Sequence, residues 1–77
     1  MRKVINISIY EGEKYLVAEG INIPIVTQGK SYNKLMDNLK EAINLFIEGE
    51  DLSKYNLDIN PAIIASFEIN NISHARS

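Results

Sequence analysis

The sequence predicts an α+β domain with two layers, in which one helix packs on a four-stranded sheet in the order β-β-β-α-β. Three features lead to this fold class: alternating apolar and polar residues near the start, one amphipathic stretch in the middle, and a second alternating stretch near the end. With 77 residues, the chain has room for one domain. We expect that domain to cover residues 1–69 and residues 70–77 to form a short, flexible tail.

Two strands at the start of the chain are predicted to form a β-hairpin. In residues 4–10, isoleucines alternate with polar residues, which is typical of a strand with one buried face. Residues 11–13 form a turn that contains a glycine, and residues 14–19 form the second strand. A short third strand follows over residues 25–28, and its shortness is typical of the edge of a sheet.

The helix has the clearest pattern in the chain. Ser31 is its predicted N-cap, and Gly49 is predicted to stop it in a left-handed conformation at C′. Leu45 is the single apolar residue on the polar side, which makes it a candidate partner contact, although single exposed leucines are common. Eight residues fall within one arc of about 140° on a helical wheel, and they form the predicted buried stripe: Tyr32, Leu35, Met36, Leu39, Ala42, Ile43, Phe46 and Ile47.

After the helix, residues 50–61 are polar and are predicted to form a loop, followed by a last strand over residues 62–69. Because one helix can cover only one face of the sheet, the other face should carry a mixture of exposed side chains such as Val4, Tyr10 and Ile64, or the residues that alternate with them. Such a surface is typical of an interface, so we expect a homodimer or a higher homo-oligomer. The loop contains four candidate anchors onto the core: Leu52, Tyr55, Leu57 and Ile59.

Few residues of the chain are suited to catalysis or metal binding. There is no cysteine and only one histidine, His74, whose pairing with Ser66 or Ser73 would require an ordered tail. No glycine-rich nucleotide motif occurs. Two groups of carboxylates fall in turns, where solubility alone explains them: Glu11 with Glu13, and Glu48 with Glu50 and Asp51. We therefore expect no enzyme activity, no cofactor, and no catalytic or metal site.

The charge and hydropathy of the chain limit its partners. A formal net charge of −2 and an isoelectric point near 5.2 argue against direct binding to nucleic acid, which normally depends on a basic patch. No apolar run approaches the ~20 residues needed to cross a bilayer, and the N-terminus lacks a signal-peptide core. We expect a cytoplasmic protein with no membrane contact, for which a basic protein partner is allowed.

The segment Thr27-Gln28-Gly29, leading into a helix that contains Asn38-Leu39-Lys40-Glu41-Ala42-Ile43, resembles the HicB-like antitoxin family. That family has a partial RNase H-like domain, and the resemblance covers about residues 4–69, including a hairpin over residues 8–19. One departure is that the family often has Pro-Gly-Cys before the TQG turn, whereas this chain has Pro24-Ile25-Val26 and is one residue shorter there. The resemblance implies a mixed sheet in which the last strand lies parallel to the first strand, at an open edge.

The resemblance also implies a function. Domains of this family bind a small basic ribonuclease toxin of the HicA type and cover its RNA-cleaving surface, so this chain would be a non-catalytic antitoxin-type domain. An acidic chain suits such a partner electrostatically. Many relatives carry a C-terminal DNA-binding module, for which residues 70–77 are too few, so we expect no DNA binding. The contact residues are unknown, and Leu45 is the only candidate.

Two alternatives to toxin neutralisation stay open. The first is an orphan homo-oligomeric domain of the same family with another partner or ligand, which a stable dimer or tetramer and the lack of a neighbouring toxin gene would favour. The second is a metal-dependent nuclease, which would cleave RNA in the presence of Mg²⁺ or Mn²⁺.

Overall fold

The computed structural model describes residues 4–58 and 60–68, which form an α+β domain with the element order β-β-β-α-β. The single sheet has the strand order β3-β2-β1-β4, with one α-helix packed on it. β1 pairs antiparallel with β2 and parallel with β4, and β2 pairs antiparallel with β3. The predicted fold class is therefore confirmed, including the mixed sheet. The elements are β1 (Val4–Glu11), β2 (Leu16–Gly20), β3 (Val26–Gly29), α1 (Tyr32–Gly49) and β4 (Ala62–Phe67), with a short 3₁₀ helix at Leu52–Tyr55.

The core lies between α1 and one face of the sheet. The three isoleucines of β1 are buried, as alternation predicted, and they pack with the apolar stripe of α1. Leu35, Leu39, Ile43 and Phe46 are the buried residues of that stripe. Tyr32 departs from the prediction because it is 53% exposed. It is the first residue of the helix, and side chains there point back past the N-terminal end.

The two ends of α1 are closed in different ways. Ser31 is the N-cap, as predicted, and its Oγ accepts a hydrogen bond from the backbone N–H of Lys34 at 3.2 Å. The helix ends at Gly49, as predicted, but the left-handed conformation predicted for this residue was wrong. No glycine among the described residues has a positive φ, and Gly49 is instead the last helical residue. Glu50 is extended and its N–H donates to the carbonyl of Phe46, so the chain leaves the helix without a left-handed residue.

The segment after α1 contains a short 3₁₀ helix and side chains that pack on the core. Leu57 is buried, while Leu52 and Tyr55 are partly buried against the core, so three of the predicted anchors are confirmed. The ring of Tyr55 meets that of Phe46 edge to face, with the centroids 5.0 Å apart. The 3₁₀ helix was not predicted. It is capped by Asp51, whose Oδ1 accepts hydrogen bonds from the backbone N–H and the hydroxyl of Ser53.

Some predicted features lie outside the described residues. These are the anchor Ile59, the end of the last strand at Ile69, and the tail over residues 70–77. The second strand begins two residues later than predicted, because residues 12–15 form the turn, in which the N–H of Gly12 donates to the carbonyl of Tyr15.

The side chain of Asn22 extends the sheet beyond the end of β2. Its Nδ2 donates to the carbonyl of Val4 at 2.7 Å, and its Oδ1 accepts from the N–H of Asn6 at 2.8 Å. The N–H of Ile21 also donates to the carbonyl of Asn6. Because β2 ends at Gly20, it cannot pair with these backbone groups of β1, and the side chain of Asn22 provides their hydrogen-bond partners instead.

Candidate protein interaction surfaces

The carboxylates considered from the sequence do not form a metal site. Glu11, the last residue of β1, and Glu13, within the β1–β2 turn, are both exposed, and Asp51 is engaged in capping the 3₁₀ helix. Among residues 4–58 and 60–68, no group of three His, Cys, Asp or Glu side chains could hold a metal ion. His74 and Ser73 lie outside the described residues.

A shallow groove of about 400 Å³ lies where β3 meets the start of α1. Its lining offers phenol, amide and ammonium groups but no carboxylate, imidazole or thiol. The lining residues are Tyr15, Gln28, Gly29, Lys30, Lys34 and Asn38.

The two motifs that carry the family resemblance meet at this junction. Asn38 donates a hydrogen bond from Nδ2 to the backbone carbonyl of Gln28 at 2.8 Å. Gly29 is buried directly against the first turns of the helix, and a Cβ placed there would lie 2.5 Å from the backbone nitrogen of Leu35. These residues hold α1 on β3, so their role in the described structure is to build the fold.

The face of the sheet that points away from α1, which we call the open face, is not covered by any helix or strand of the described residues. Because side chains alternate along each strand, the registers of the four strands place one set of residues on it. Its charged members are Glu19 in β2 and Glu68, which directly follows β4, and none of its described members is Lys or Arg. The set consists of Val4, Asn6, Ser8, Tyr10, Val17, Glu19, Val26, Gln28, Ala62, Ile64, Ser66 and Glu68.

Tyr10 lies beside the two carboxylates of the open face. Its hydroxyl donates to Oε1 of Glu19 at 3.1 Å. This hydrogen bond raises the pKa of Tyr10 above its ordinary value of 10.0, with smaller contributions from desolvation and from the negative charges of Glu19 and Glu68. The open face therefore combines an acidic region with an aromatic side chain that has both an apolar ring and a polar end.

Glu19→Gln is expected to lower the pKa of Tyr10, because it removes the charge that stabilises the protonated phenol. Since the folded protein has the higher pKa, this interaction stabilises the fold below pH 10, and the contribution is lost as the pH rises through the raised pKa. Phenolate absorbance is measured against pH for the unchanged chain and for each Glu variant, with and without Tyr10→Phe. The difference between the two curves gives the titration of Tyr10 alone. Glu13→Gln is the control and should not move it; an equal shift in both variants would contradict the assignment.

The edge strand β4 is a second exposed surface. Ile63 and Phe67, on the helix side of the sheet, are 49% and 48% exposed, and Ile64 on the open face is 49% exposed. The helix packs on β3 and β2 and its core includes the isoleucines of β1, but no residue of β4 belongs to that core. No element within residues 4–58 and 60–68 therefore covers either side of β4.

The exposure on the helix side of β4 was missed from the sequence, although simple dimensions could have predicted it. A helix is about 10 Å wide and neighbouring strands are about 4.8 Å apart. One helix therefore covers two to three strands and leaves a fourth exposed. Leu45, the contact candidate from the sequence, is 62% exposed on the outer side of α1 and is thus separate from the open face.

No helix within residues 4–58 and 60–68 combines the length and the apolar character needed to cross a membrane. A scan against protein-family models, a search of curated proteins and a search of solved structures each returned no match for this chain.

Proposed function

We propose that this chain is a non-catalytic, HicB-like antitoxin-type domain of the cytoplasm that neutralises a small basic ribonuclease toxin of the HicA type by binding it. The observation that carries this proposal is the open face, on which Glu19 and Glu68 are the charged residues and no cation is present among the described strand residues. A surface of one sign of charge favours a partner of the opposite sign.

The partner's chemistry follows from the same surface. A ribonuclease binds the phosphates of RNA with Lys and Arg side chains, so its active surface is positively charged. The carboxylates of the open face can pair with those cations, while Tyr10, Val17 and Val26 supply apolar area around them. Binding there would exclude RNA from the toxin without requiring a catalytic group in this chain.

The resemblance to the HicB-like family supports the same function independently of charge. It rests on the TQG segment at residues 27–29, which lies in β3, and on the helix motif at residues 38–43. It implies a last strand that is parallel to the first and lies at a sheet edge. The strand order of the sheet agrees with that implication. This order describes the fold alone, so the partner must be established by experiment.

The test is to express the chain with any short, Lys- and Arg-rich protein encoded beside it, and to measure complex formation and RNA cleavage. We expect one complex in which cleavage stops. The double variant Glu19→Lys/Glu68→Lys should weaken binding at least about tenfold at low salt, because it reverses both charges of the open face.

The matched control is Glu41→Lys/Glu48→Lys, which makes the same change in net charge at exposed positions on α1. It should leave binding within about twofold. A neighbour that cleaves RNA equally well with and without the chain would overturn the proposal. If Leu45→Lys abolishes binding and the Glu19 and Glu68 changes do not, the contact lies on the helix and the open face is not the binding surface.

An orphan homo-oligomeric domain with another partner or ligand is the second candidate function. The exposed apolar residues on both sides of β4 favour it, because they suit self-association. It predicts a stable homo-oligomer and no inhibition of a neighbouring ribonuclease.

A further inference from the structure

The backbone groups along the outer edge of β4 have no hydrogen-bond partners among the described residues. The N–H of Glu68 donates to the carbonyl of Ile9 in β1 at 2.7 Å, so the even-numbered positions of this strand direct their backbone groups toward β1. Successive residues of a strand direct these groups to opposite edges, which leaves Ile63, Ala65 and Phe67 facing outward. Within the described part of the chain, no strand pairs with that edge.

The side chains along this edge do not protect it from pairing. Residues 62–67 read AIIASF and contain no charge and no proline, whereas natural edge strands are commonly protected by Lys or Pro. Ile63, Ile64 and Phe67 are each about half exposed, on both sides of the strand. The other edge strand, β3, has only four residues, and the helix lies over it.

The β4 strand of a second copy can pair with this edge in an antiparallel register that uses all three outward residues. Hydrogen-bonded pairs form between residues whose backbone groups face each other, and each pair exchanges two hydrogen bonds. With a two-fold axis at Ala65, Ala65 pairs with its own copy, and Ile63 pairs with Phe67 of the second copy. The backbone groups of all three outward residues then have hydrogen-bond partners. The small side chain of Ala65 at the axis lies between two Ile63–Phe67 pairs, and pairs of a β-branched and an aromatic residue are favourable.

The neighbouring register in the N-terminal direction is less favourable. Moving the axis from Ala65 to Ile64 places Pro61 opposite Phe67 of the second copy. Pro61 has no N–H to donate, so one hydrogen bond would be lost and the carbonyl opposite it would stay unpaired.

We propose that two copies of this chain associate through antiparallel pairing of their β4 strands, with the two-fold axis at Ala65. The neutral segment favours a second copy as the occupant, because self-pairing of this acidic chain then places no like charges opposite each other over residues 62–67. A Lys- and Arg-rich protein would find no carboxylate there to attract it.

The dimer would have a continuous sheet with both open faces on the same side, and it would leave Glu19 and Tyr10 accessible. It therefore goes beyond the proposed function and does not depend on it. A ribbon of six residues is smaller than a standard interface, which buries about 800 Å² on each partner. We accordingly expect a dissociation constant in the micromolar range.

The first test combines sedimentation equilibrium with amide hydrogen exchange on the whole chain, at concentrations on either side of that range. We expect dimers to form as concentration rises. The amides of Ile63, Ala65 and Phe67 should become protected with dimerisation, while those of Ile64 and Ser66, which face β1, should keep their protection unchanged. A chain that stays monomeric throughout, or dimers that leave the three outward amides unprotected, would overturn the proposal.

The second test examines the register with charged substitutions. Ile63→Lys and Phe67→Glu should each weaken dimerisation about tenfold, because each places a charge opposite an apolar residue of the second copy. The double variant Ile63→Lys/Phe67→Glu should dimerise more tightly than either single variant. In this register the positive charge at position 63 of one copy lies opposite the negative charge at position 67 of the other. A double variant weaker than both single variants would exclude this register.

Two controls distinguish a loss of dimerisation at β4 from unfolding and from an effect of added charge elsewhere on the chain. Circular dichroism and thermal unfolding of each monomer show whether the fold is intact, and Leu45→Lys on α1 should leave the dimerisation constant unchanged. Failure of the dimer tests with intact toxin binding would reject only the β4 contact, while intact dimers that bind no toxin would reject only the proposed function.

Discussion

Gly29→Ala is expected to lower the free energy of unfolding by about 3 kcal/mol or more, which is among the largest effects of a single substitution in this chain. A Cβ at this position would lie 2.5 Å and 2.7 Å from the nitrogen and Cα of Leu35, and 2.9 Å from the carbonyl carbon of Lys34. These are backbone atoms of α1, so no side chain can rotate to make room. The helix would have to move away from β3.

A loss of this size matters because a domain this small has a free energy of unfolding of only about 5 kcal/mol. Urea unfolding followed by circular dichroism measures the change, and an unchanged m-value would show that the same structure unfolds. Gly49→Ala is the matched control, since a Cβ there meets nothing within 4 Å and alanine favours the helix. If both variants had the same unfolding midpoint, the close approach at Gly29 would not constrain the fold.

The helix and the hairpin could be predicted from the sequence because their signals are local. The repeat of apolar residues from Leu35 to Phe46 and the serine at position 31 lie inside or beside the element that they define. The alternating isoleucines of β1 likewise report the burial of one face of their own strand. Such patterns need no knowledge of which strands are neighbours.

The errors concern features that depend on parts of the chain packed against each other. Gly29 has no positive φ, so its requirement for glycine comes from the approach of α1 and has no local signature. Gly49 looked like a helix stop, yet the chain leaves α1 in an extended conformation toward the 3₁₀ helix. The described residue that does adopt a left-handed conformation is Asn56, with a φ of 57°, where that 3₁₀ helix ends.

The candidate interaction surfaces could be predicted only in part from the sequence. Once the strand order is known, alternation alone assigns Tyr10, Glu19 and Ile64 to the open face. The order itself came from a resemblance whose motif residues, such as Gly29 and Asn38, build the junction of β3 with α1. The motif therefore predicted the fold, while the surface proposed to bind a partner was assigned from the position of residues outside the motif.

Leu35→Ala is expected to lower the free energy of unfolding by about 2–5 kcal/mol. Leu35 is 0% exposed and belongs to the core between α1 and the sheet. Truncation removes apolar contacts and leaves a cavity that the rest of the core cannot fill without movement of the backbone. Urea unfolding of the purified variant measures the loss.

Leu45→Ala is the same chemical change on the opposite side of the same helix, and it should alter the free energy of unfolding by no more than about 0.5 kcal/mol. Leu45 is 62% exposed, so little apolar area returns to water, and alanine is at least as good a helix former as leucine. Helix propensity cancels between the two variants, so their difference reports burial alone. Equal losses at both positions would mean that α1 does not present its Leu35 side to the sheet, and the open face would then no longer be the uncovered side.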